Sequence, residues 1–172
     1  MANDLLQNKD FLQACKKATL SAFKNKIDDA KLNSLLEHMP SPAAGPAKNV
    51  LRVSGGSGAI QAEASIVSAV IYAKVKCYPD NKSWKFEESA WGPGIGGGEC
   101  IGFMYTAYTG DNAWETFFKD TTAYHAQGIA EAGGIFQINW FRSDGTPIGQ
   151  FNGALGGAGV FEIGGSGKWK KK

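Results

Sequence analysis

Two segments carry the glycine spacing associated with phosphate binding. In Val50–Val67, VLRVSGGSGAIQAEASIV, a β-type apolar run enters Gly-Gly-Ser-Gly and a second apolar segment follows. Dinucleotide-binding units begin this way, with glycines that bring the backbone up to a pyrophosphate at a helix N-terminus. The fingerprint asks for a third glycine where this chain has Gln61. It also asks for an acidic residue about 20 positions on, at the end of a second strand. The matching stretch is VKCYPD, where Asp80 follows a proline in a turn, and no strand–helix alternation continues the pattern. The second copy, Gly164-Gly165-Ser166-Gly167-Lys168, lacks both the Ser or Thr after the lysine and the following helix that a phosphate loop requires. The glycines read as structural turns, with no nucleotide and no cofactor expected.

Other reactive side chains are few. Cys15, Cys77 and Cys100 are an odd number, with no C-x-x-C pair and no histidine at ligand spacing. A tetrahedral zinc site needs four grouped ligands, so no metal is expected and the thiols read as buried or half-buried. Cys77 and Cys100 are free to meet across strands, though nothing requires it. His38 falls near a helix end, and His125 alternates with Thr121 and Ala123 on one strand face, as a half-exposed structural histidine does. Glu87, Glu88, Glu99, Glu131 and Glu162 are scattered without pairing. General acid–base work needs positioned groups with shifted pKa values, and this spacing presents none. An enzyme would have to draw its site from His125, Glu131 and their neighbours; a non-enzymatic protein is the expectation.

The elements that would position these residues follow from composition and period. The 172 residues fit one domain, of a size that buries roughly 70% of its unfolded surface without disulfide or metal staples. Hydrophobic residues make up 43%, and 18 basic against 16 acidic residues leave a net charge of +2. That balance does not argue for nucleic acid. The 23 glycines are about twice the roughly 7% average usage and follow no collagen-like period. Most come after Gly45 in runs, as suits tight turns, bulges and sharply curved strands. The longest apolar-rich stretch, Ala59 to Tyr78, is interrupted by Gln61, Glu63, Lys74 and Lys76, so it is not a membrane span. The opening MANDLLQNKD lacks a basic region followed by an apolar run, so no secretory signal is expected there.

Residues 4–39 are expected to be helical. Asp4 can cap a segment with Leu5, Leu12, Cys15, Phe23 and Ile27 on one broad face and Lys16 and Lys17 at its margin. After Lys24-Asn25-Lys26, Asp28 or Asp29 caps a second helix with Leu32, Leu35, Leu36 and Met39 at i, i+3, i+4, i+7. The linker PSPAAGPAK then marks a change of regime. Beyond it, eight candidate strands are VLRV (50–53), the run within 60–78, SWKFEESAW (83–91), CIGFMYTAY (100–108), TTAYHAQGIAEA (121–132), GIFQINWF (134–141), IGQFNGA (148–154) and GVFEI (159–163). The 60–78 run also fits a helical period, but its β-branched residues and the Tyr78-Pro79 ending favour strand. Ser143-Asp144-Gly145 signals a hairpin, and Asp111 or Asn112 caps a short helix over 112–119.

The aromatics, Trp84, Phe86, Trp91, Phe103, Tyr105, Phe136, Trp140, Phe141, Phe151 and Phe161, mostly alternate with polar or small residues, as core filling of a small barrel does. The C-terminal Lys168-Trp169-Lys170-Lys171-Lys172 reads as a solvated tail. It pairs an interfacial aromatic with lysines, each worth about 1 kcal/mol near an anionic membrane.

The C-terminal half resembles a known family. A short FFK helix leads into an AYHA strand, then an aromatic strand ends in F-R-S-D-G, a P-I-G-Q-F strand follows, and G-G-S-G-x-W closes the chain. This pattern, over residues 111–169 and more weakly back to about residue 50, is similar to the virulence-associated VapA/VapB-type family of rhodococcal pathogens. The resemblance implies a compact eight-stranded antiparallel Greek-key β-barrel with a filled core. It further implies secretion, no recognised catalytic site, and a contribution to survival in host phagocytes, some members acting on endolysosomal membranes. No family motif of functional residues maps onto this chain. The chain departs from the family in its opening, which lacks a signal peptide, and in its helical first ~45 residues.

The combined expectation is a mainly β protein, with N-terminal helices and a Pro-rich linker over residues 1–46 and the barrel over residues 47–172. It would be a monomeric, secreted or delivered effector that acts through surface contacts with a host membrane or a protein partner. Lys16, Lys17, Trp169, Lys170, Lys171 and Lys172 are the candidate contacts with an anionic membrane. The N-terminal segment is expected to pack on the barrel, the alternative being to lie on the membrane. A small-ligand or lipid-carrying barrel is the alternative function, which would need a cavity inside the ring.

Overall fold

A computed structural model describes residues 7–39, 58–80, 82–129, 134–155 and 160–172. The expected Asp4 cap, the linker at 40–48, the VLRV strand, most of the first Gly-Gly-Ser-Gly and Glu131 lie outside them.

Two helices open the described chain, α1 over Lys9–Phe23 and α2 over Asp29–His38. Asn8 caps α1, its side-chain oxygen accepting from Phe11 N–H at 3.0 Å, and Asp28 caps α2 by accepting from Lys31 N–H at 2.8 Å. Between them Asn25 takes a left-handed φ of 64°, which asparagine tolerates better than most residues. The buried stripe of α1 is Phe11, Leu12, Cys15, Ala18, Ala22 and Phe23, and that of α2 is Leu32, Leu35 and, just past its end, Met39. Both stripes lie on the sheet, against Phe103, Tyr105 and Ile135 at one place and Phe141 at another. The N-terminal segment therefore packs on the strands, as expected.

Seven strands follow: β1 (Ile60–Pro79), β2 (Trp84–Thr106), β3 (Ala123–Ile129), β4 (Ile135–Phe141), β5 (Pro147–Ala154), β6 (Val160–Ser166) and β7 (Trp169–Lys171), with α3 (Ala113–Asp120) between β2 and β3. All pairings are antiparallel, in the order β1-β2-β5-β4-β3-β6. β6 returns to β2 through Gly94–Phe161 and Ile95–Val160, so β2, β5, β4, β3 and β6 close into a ring. The β4–β5 hairpin turns through Ser143-Asp144-Gly145, where Gly145 has φ +77° and Asp144 accepts from Thr146 N–H at 2.9 Å.

Among the described residues seven strands form the sheet and five of them close a ring, where an eight-stranded Greek-key barrel was expected; the expected VLRV strand lies outside those residues. Residues 83–91 and 100–108 are ends of one 23-residue strand, β2, because GPGIGGGE continues as strand and does not turn. Close approach explains the glycines: a Cβ on Gly94 would sit 2.5 Å from Phe161 Cβ and 2.8 Å from Ser68 Oγ, so only glycine lets β2 pass between β1 and β6. The C-terminal lysine stretch adds β7, which pairs with Trp84, Lys85 and Phe86 at the start of β2.

Inside the ring, α3 packs against residues of β2, β4 and β7. Phe117 and Phe118 of α3 join Phe86, Trp140 and Trp169, with ring centroids 4.8–5.7 Å apart for the contacting pairs. Outside the ring, β4 and β5 are buried as well, because the helices cover them. That outer face is polar: Gln127, Gln137, Asn139, Gln150 and Asn152 lie buried in one hydrogen-bonded set. Gln137 Nε2 donates to the Cys15 carbonyl of α1 at 2.9 Å, and Gln150 Nε2 donates to Thr19 Oγ1 at 2.9 Å.

Candidate functional site

The middle of the β1–β2 hairpin is the most unusual surface of the molecule. Residues 64–73 and 89–98 contain no charged side chain. The register sets Val67 opposite Gly97, Ala69 opposite Ile95 and Tyr72 opposite Trp91, and Ile95 in turn lies opposite Val160 of β6. Val67, Val70, Ile71, Tyr72, Trp91, Ile95 and Val160 are between 44% and 73% exposed, whereas Trp114, Trp140 and Trp169 are buried. Single exposed apolar residues are ordinary, but seven on adjoining strands with no charge among them mark a contact surface.

The local backbone supports that reading. The register shifts between Val70 and Tyr72, and Val70 has a φ of 57°. A β-branched residue in the left-handed region is strained, at a cost of about 1–3 kcal/mol. With Val70 in solvent, no core contact compensates for the strain, so packing does not account for it. Tyr72 and Trp91 stand edge to face at 5.6 Å, and the Tyr72 hydroxyl bonds Ser89 Oγ at 2.9 Å. The bend thus presents an amphipathic aromatic pair beside aliphatic side chains, the mix that suits a boundary between water and hydrocarbon.

Trp169, one of the membrane contacts expected from sequence, is buried. It is 5% exposed and packs on Phe86, Phe118 and Trp140. The tail is a strand whose inward residue fills the core. Its lysines stay exposed but engaged: Lys170 Nζ lies 3.5 Å from Glu88, Lys171 sits 5.2 Å over the Trp84 ring, and Lys172 N–H donates to the Ser83 carbonyl at 3.0 Å. Lys16 and Lys17 ride on α1, half-buried and exposed respectively, while the apolar face of that helix is occupied by the sheet. Lys17 lines a groove together with Val160 of the apolar cluster, whereas the tail pairs with the start of β2 at Trp84–Phe86.

Among the reactive side chains the structure brings His125 and Glu162 together. His125 is largely buried, edge-on to Phe23 at 5.2 Å, with Nε2 3.0 Å from Glu162, which also pairs with Lys26 at 3.2 Å. Burial pulls the His125 pKa below its usual value against the opposing pull of Glu162, while the His125 hydrogen bond lowers that of Glu162. The three cysteines are free and buried; burial pushes Cys15 and Cys100 to about 12 and Cys77 well above its ordinary value. Cys77 lies opposite Phe86, and Cys100 opposite Ala64. Glu87 accepts from the Tyr78 hydroxyl and pairs with Lys85 at 3.2 Å, and Glu88 meets Lys170. Among the described residues no three His, Cys, Asp or Glu side chains gather as metal ligands. After Gly58 the chain runs directly into β1, so no helix N-terminus backs the glycine turn there.

Fold and surface together define a class: a ring of antiparallel strands covered by N-terminal helices, with dispersed polar chemistry and an exposed apolar bend. The family model of the Rhodococcus equi virulence-associated protein matches residues 6–170, and the chain belongs to that family. The match includes the helical N-terminal segment that the sequence reading set outside the family. Among solved structures, the chain is similar to the virulence-associated protein VapD from the intracellular pathogen Rhodococcus equi, with a TM-score of 0.56 and 22% identity over 65% of this chain and 96% of that one. It is also similar to VapB from the same pathogen, with a TM-score of 0.55 and 26% identity over 66% of this chain and 97% of that one. No curated protein sequence matches. This chain therefore carries about a third of its length beyond what either solved structure matches.

Sequence reasoning missed the bend because alternation assigns residues to two faces without saying which face meets water. The available signal was charge: two stretches of ten uncharged residues, 64–73 and 89–98, fall on strands that pair with each other.

Proposed function

We propose that this protein is a non-catalytic virulence-associated effector, delivered outside the cell that makes it, that docks as a monomer on host lipid membranes through the β1–β2 bend. The observation that carries the reading is the uncharged cluster of Val67, Val70, Ile71, Tyr72, Trp91, Ile95 and Val160 in solvent. Full burial of side chains such as Val67, Ile95 and Val160 is worth about 1.5–3 kcal/mol each. Three of them support reversible attachment and fall well short of permanent insertion. The lysines of α1 and β7 then adjust affinity for anionic lipid and do not anchor the protein.

Flotation with phosphatidylcholine vesicles, with and without phosphatidylserine, tests this at 0.5 M salt, where the Debye length is about 4–5 Å. Binding is expected to persist there and to drop at least about tenfold in Trp91→Ser/Ile95→Ser, the equivalent of 1.4 kcal/mol or more. Binding that disappears with salt and ignores the double substitution would assign the contact to lysines.

A protein partner is the second reading, and one feature favours it. Among the described residues β1 is paired only along its β2 side, so its other edge is open to strand addition. Lys74 and Lys76 and the bulge at Val70 are the features that discourage indiscriminate pairing there.

A further inference from the structure

One flank of the apolar bend carries polar chemistry of its own. Tyr72 and Trp91 lie opposite each other in register and are 44% and 73% exposed. Their ring centroids stand 5.6 Å apart with the planes inclined at 69°, so the pair bounds a corner that opens to solvent. The Tyr72 hydroxyl donates to Ser89 Oγ at 2.9 Å, which holds the tyrosine ring in place. Ser89 accepts there and keeps its own hydroxyl proton to give.

The next pair on the same face adds a charge. Lys74 lies opposite Ser89, and the buried Ala73 and Val75 alternate with it. Lys74 therefore follows Tyr72 on the exposed side, about 7 Å along the strand. It is exposed, and no ion pair holds it among the described residues. The carboxylates nearest to it in register are engaged elsewhere, Glu87 with Tyr78 and Lys85, and Glu88 with Lys170. No carboxylate lies within residues 64–73 or 89–98.

Aromatic faces attract cations, and a quaternary ammonium suits them because it has no N–H group to satisfy. An ammonium beside a free hydroxyl proton suits a phosphate. Phosphocholine joins these two groups through an ethylene link. We propose that the Tyr72–Trp91 corner and the Lys74–Ser89 pair together bind the phosphocholine headgroup of a membrane lipid, the quaternary ammonium against the rings and the phosphate at Lys74 and Ser89. The inference rests on docking of the bend on membranes and names the lipid that the bend selects. A phosphoethanolamine headgroup fits less well, since its ammonium brings three N–H donors to a corner without a carboxylate. A purely anionic headgroup leaves the rings unused.

Flotation of the full chain at about 0.5 M salt, which screens bulk charge, tests the headgroup separately from docking. Two vesicle compositions with the same acyl chains are compared: phosphatidylglycerol mixed equally with phosphatidylcholine, or equally with phosphatidylethanolamine. Binding to the choline vesicles is expected to be about two- to fivefold tighter, the scale of an exposed cation–π contact. Tyr72→Leu keeps an apolar side chain at an exposed position and is expected to bind both compositions alike, with far-UV circular dichroism unchanged. Lys74→Gln is expected to weaken binding to the choline vesicles by about twofold, the scale of an exposed ion pair. Equal binding of the wild-type chain to both compositions would overturn the headgroup proposal and leave membrane docking standing. A choline preference that Tyr72→Leu retains would overturn the site, and choline binding unmoved by Lys74→Gln would overturn the phosphate assignment. Absence of binding to either composition would overturn the docking reading and this proposal with it.

Discussion

Trp169 shows how one side chain near a chain end can hold two elements together. Its indole sits among Phe86, Phe117, Phe118 and Trp140, so it ties the last strand to α3 and to opposite walls of the ring. Truncating a buried aromatic to alanine costs about 3–5 kcal/mol, because the cavity left behind collapses only in part. Trp169→Ala is therefore expected to lower the urea midpoint by that equivalent, whereas replacing Lys170, Lys171 and Lys172 with serine changes it little. A midpoint unmoved by Trp169→Ala would restore the picture of a solvated tail. The local pattern K-W-K-K-K carries no sign of this burial, since the strand that receives it, Trp84–Phe86, lies some eighty positions earlier. Trp91 is the opposite case. It belongs to the same alternating stretch as Phe86, yet Phe86 is fully buried and Trp91 is 73% exposed. Five positions apart on β2, they fall on opposite faces by alternation, Phe86 with buried Ala90 and Trp91 away from them, and the sequence does not say which face meets water.

At the scale of elements, the helices and most strand positions were legible. The stripes of α1 and α2, the choice of strand over helix for 60–78, the short α3 and the Ser143-Asp144-Gly145 hairpin all follow from period and turn chemistry. What failed was the meaning of glycine between Gly92 and Gly98, where turn propensity and close strand approach call for the same residue. The polar alternation of IFQINWF also misleads. Gln137 and Asn139 face outward, as their type predicts, but outward here means beneath α1, where they are fully buried. This arrangement bears on whether the helices can be removed. A strand face of amides can return to water at little cost, while re-exposing Phe103 and Ile135 costs about 1.5–3 kcal/mol each. Deleting residues 1–46 is thus expected to leave a folded β protein that has lost its helical circular dichroism and melts lower than the full chain. A truncated protein without cooperative unfolding would show that the helices belong to the core.

Taken whole, the described residues join His125 to Glu162 and leave apolar surface exposed. Thiols are buried, His125 and Glu162 are absorbed in a contact between β3, β6 and the loop after α1, and Glu87 and Glu88 meet Lys85, Tyr78 and Lys170. The family membership was legible from the C-terminal segments because those segments carry turn and core residues at fixed offsets. The contact surface was not, because exposure is a property of the assembled sheet. The central question is whether the β1–β2 bend enters lipid. Trp91 is the most exposed of the five tryptophans and lies on that surface opposite Tyr72, so its fluorescence reports the contact. The direct measurement is emission of the full chain on phosphatidylcholine vesicles with bromine on the acyl chains, alongside the Trp91→Phe variant. The account predicts a blue shift and quenching in the wild-type protein that are lost in Trp91→Phe while that variant still floats with vesicles. Vesicle-bound protein whose Trp91 emission is neither shifted nor quenched would contradict it.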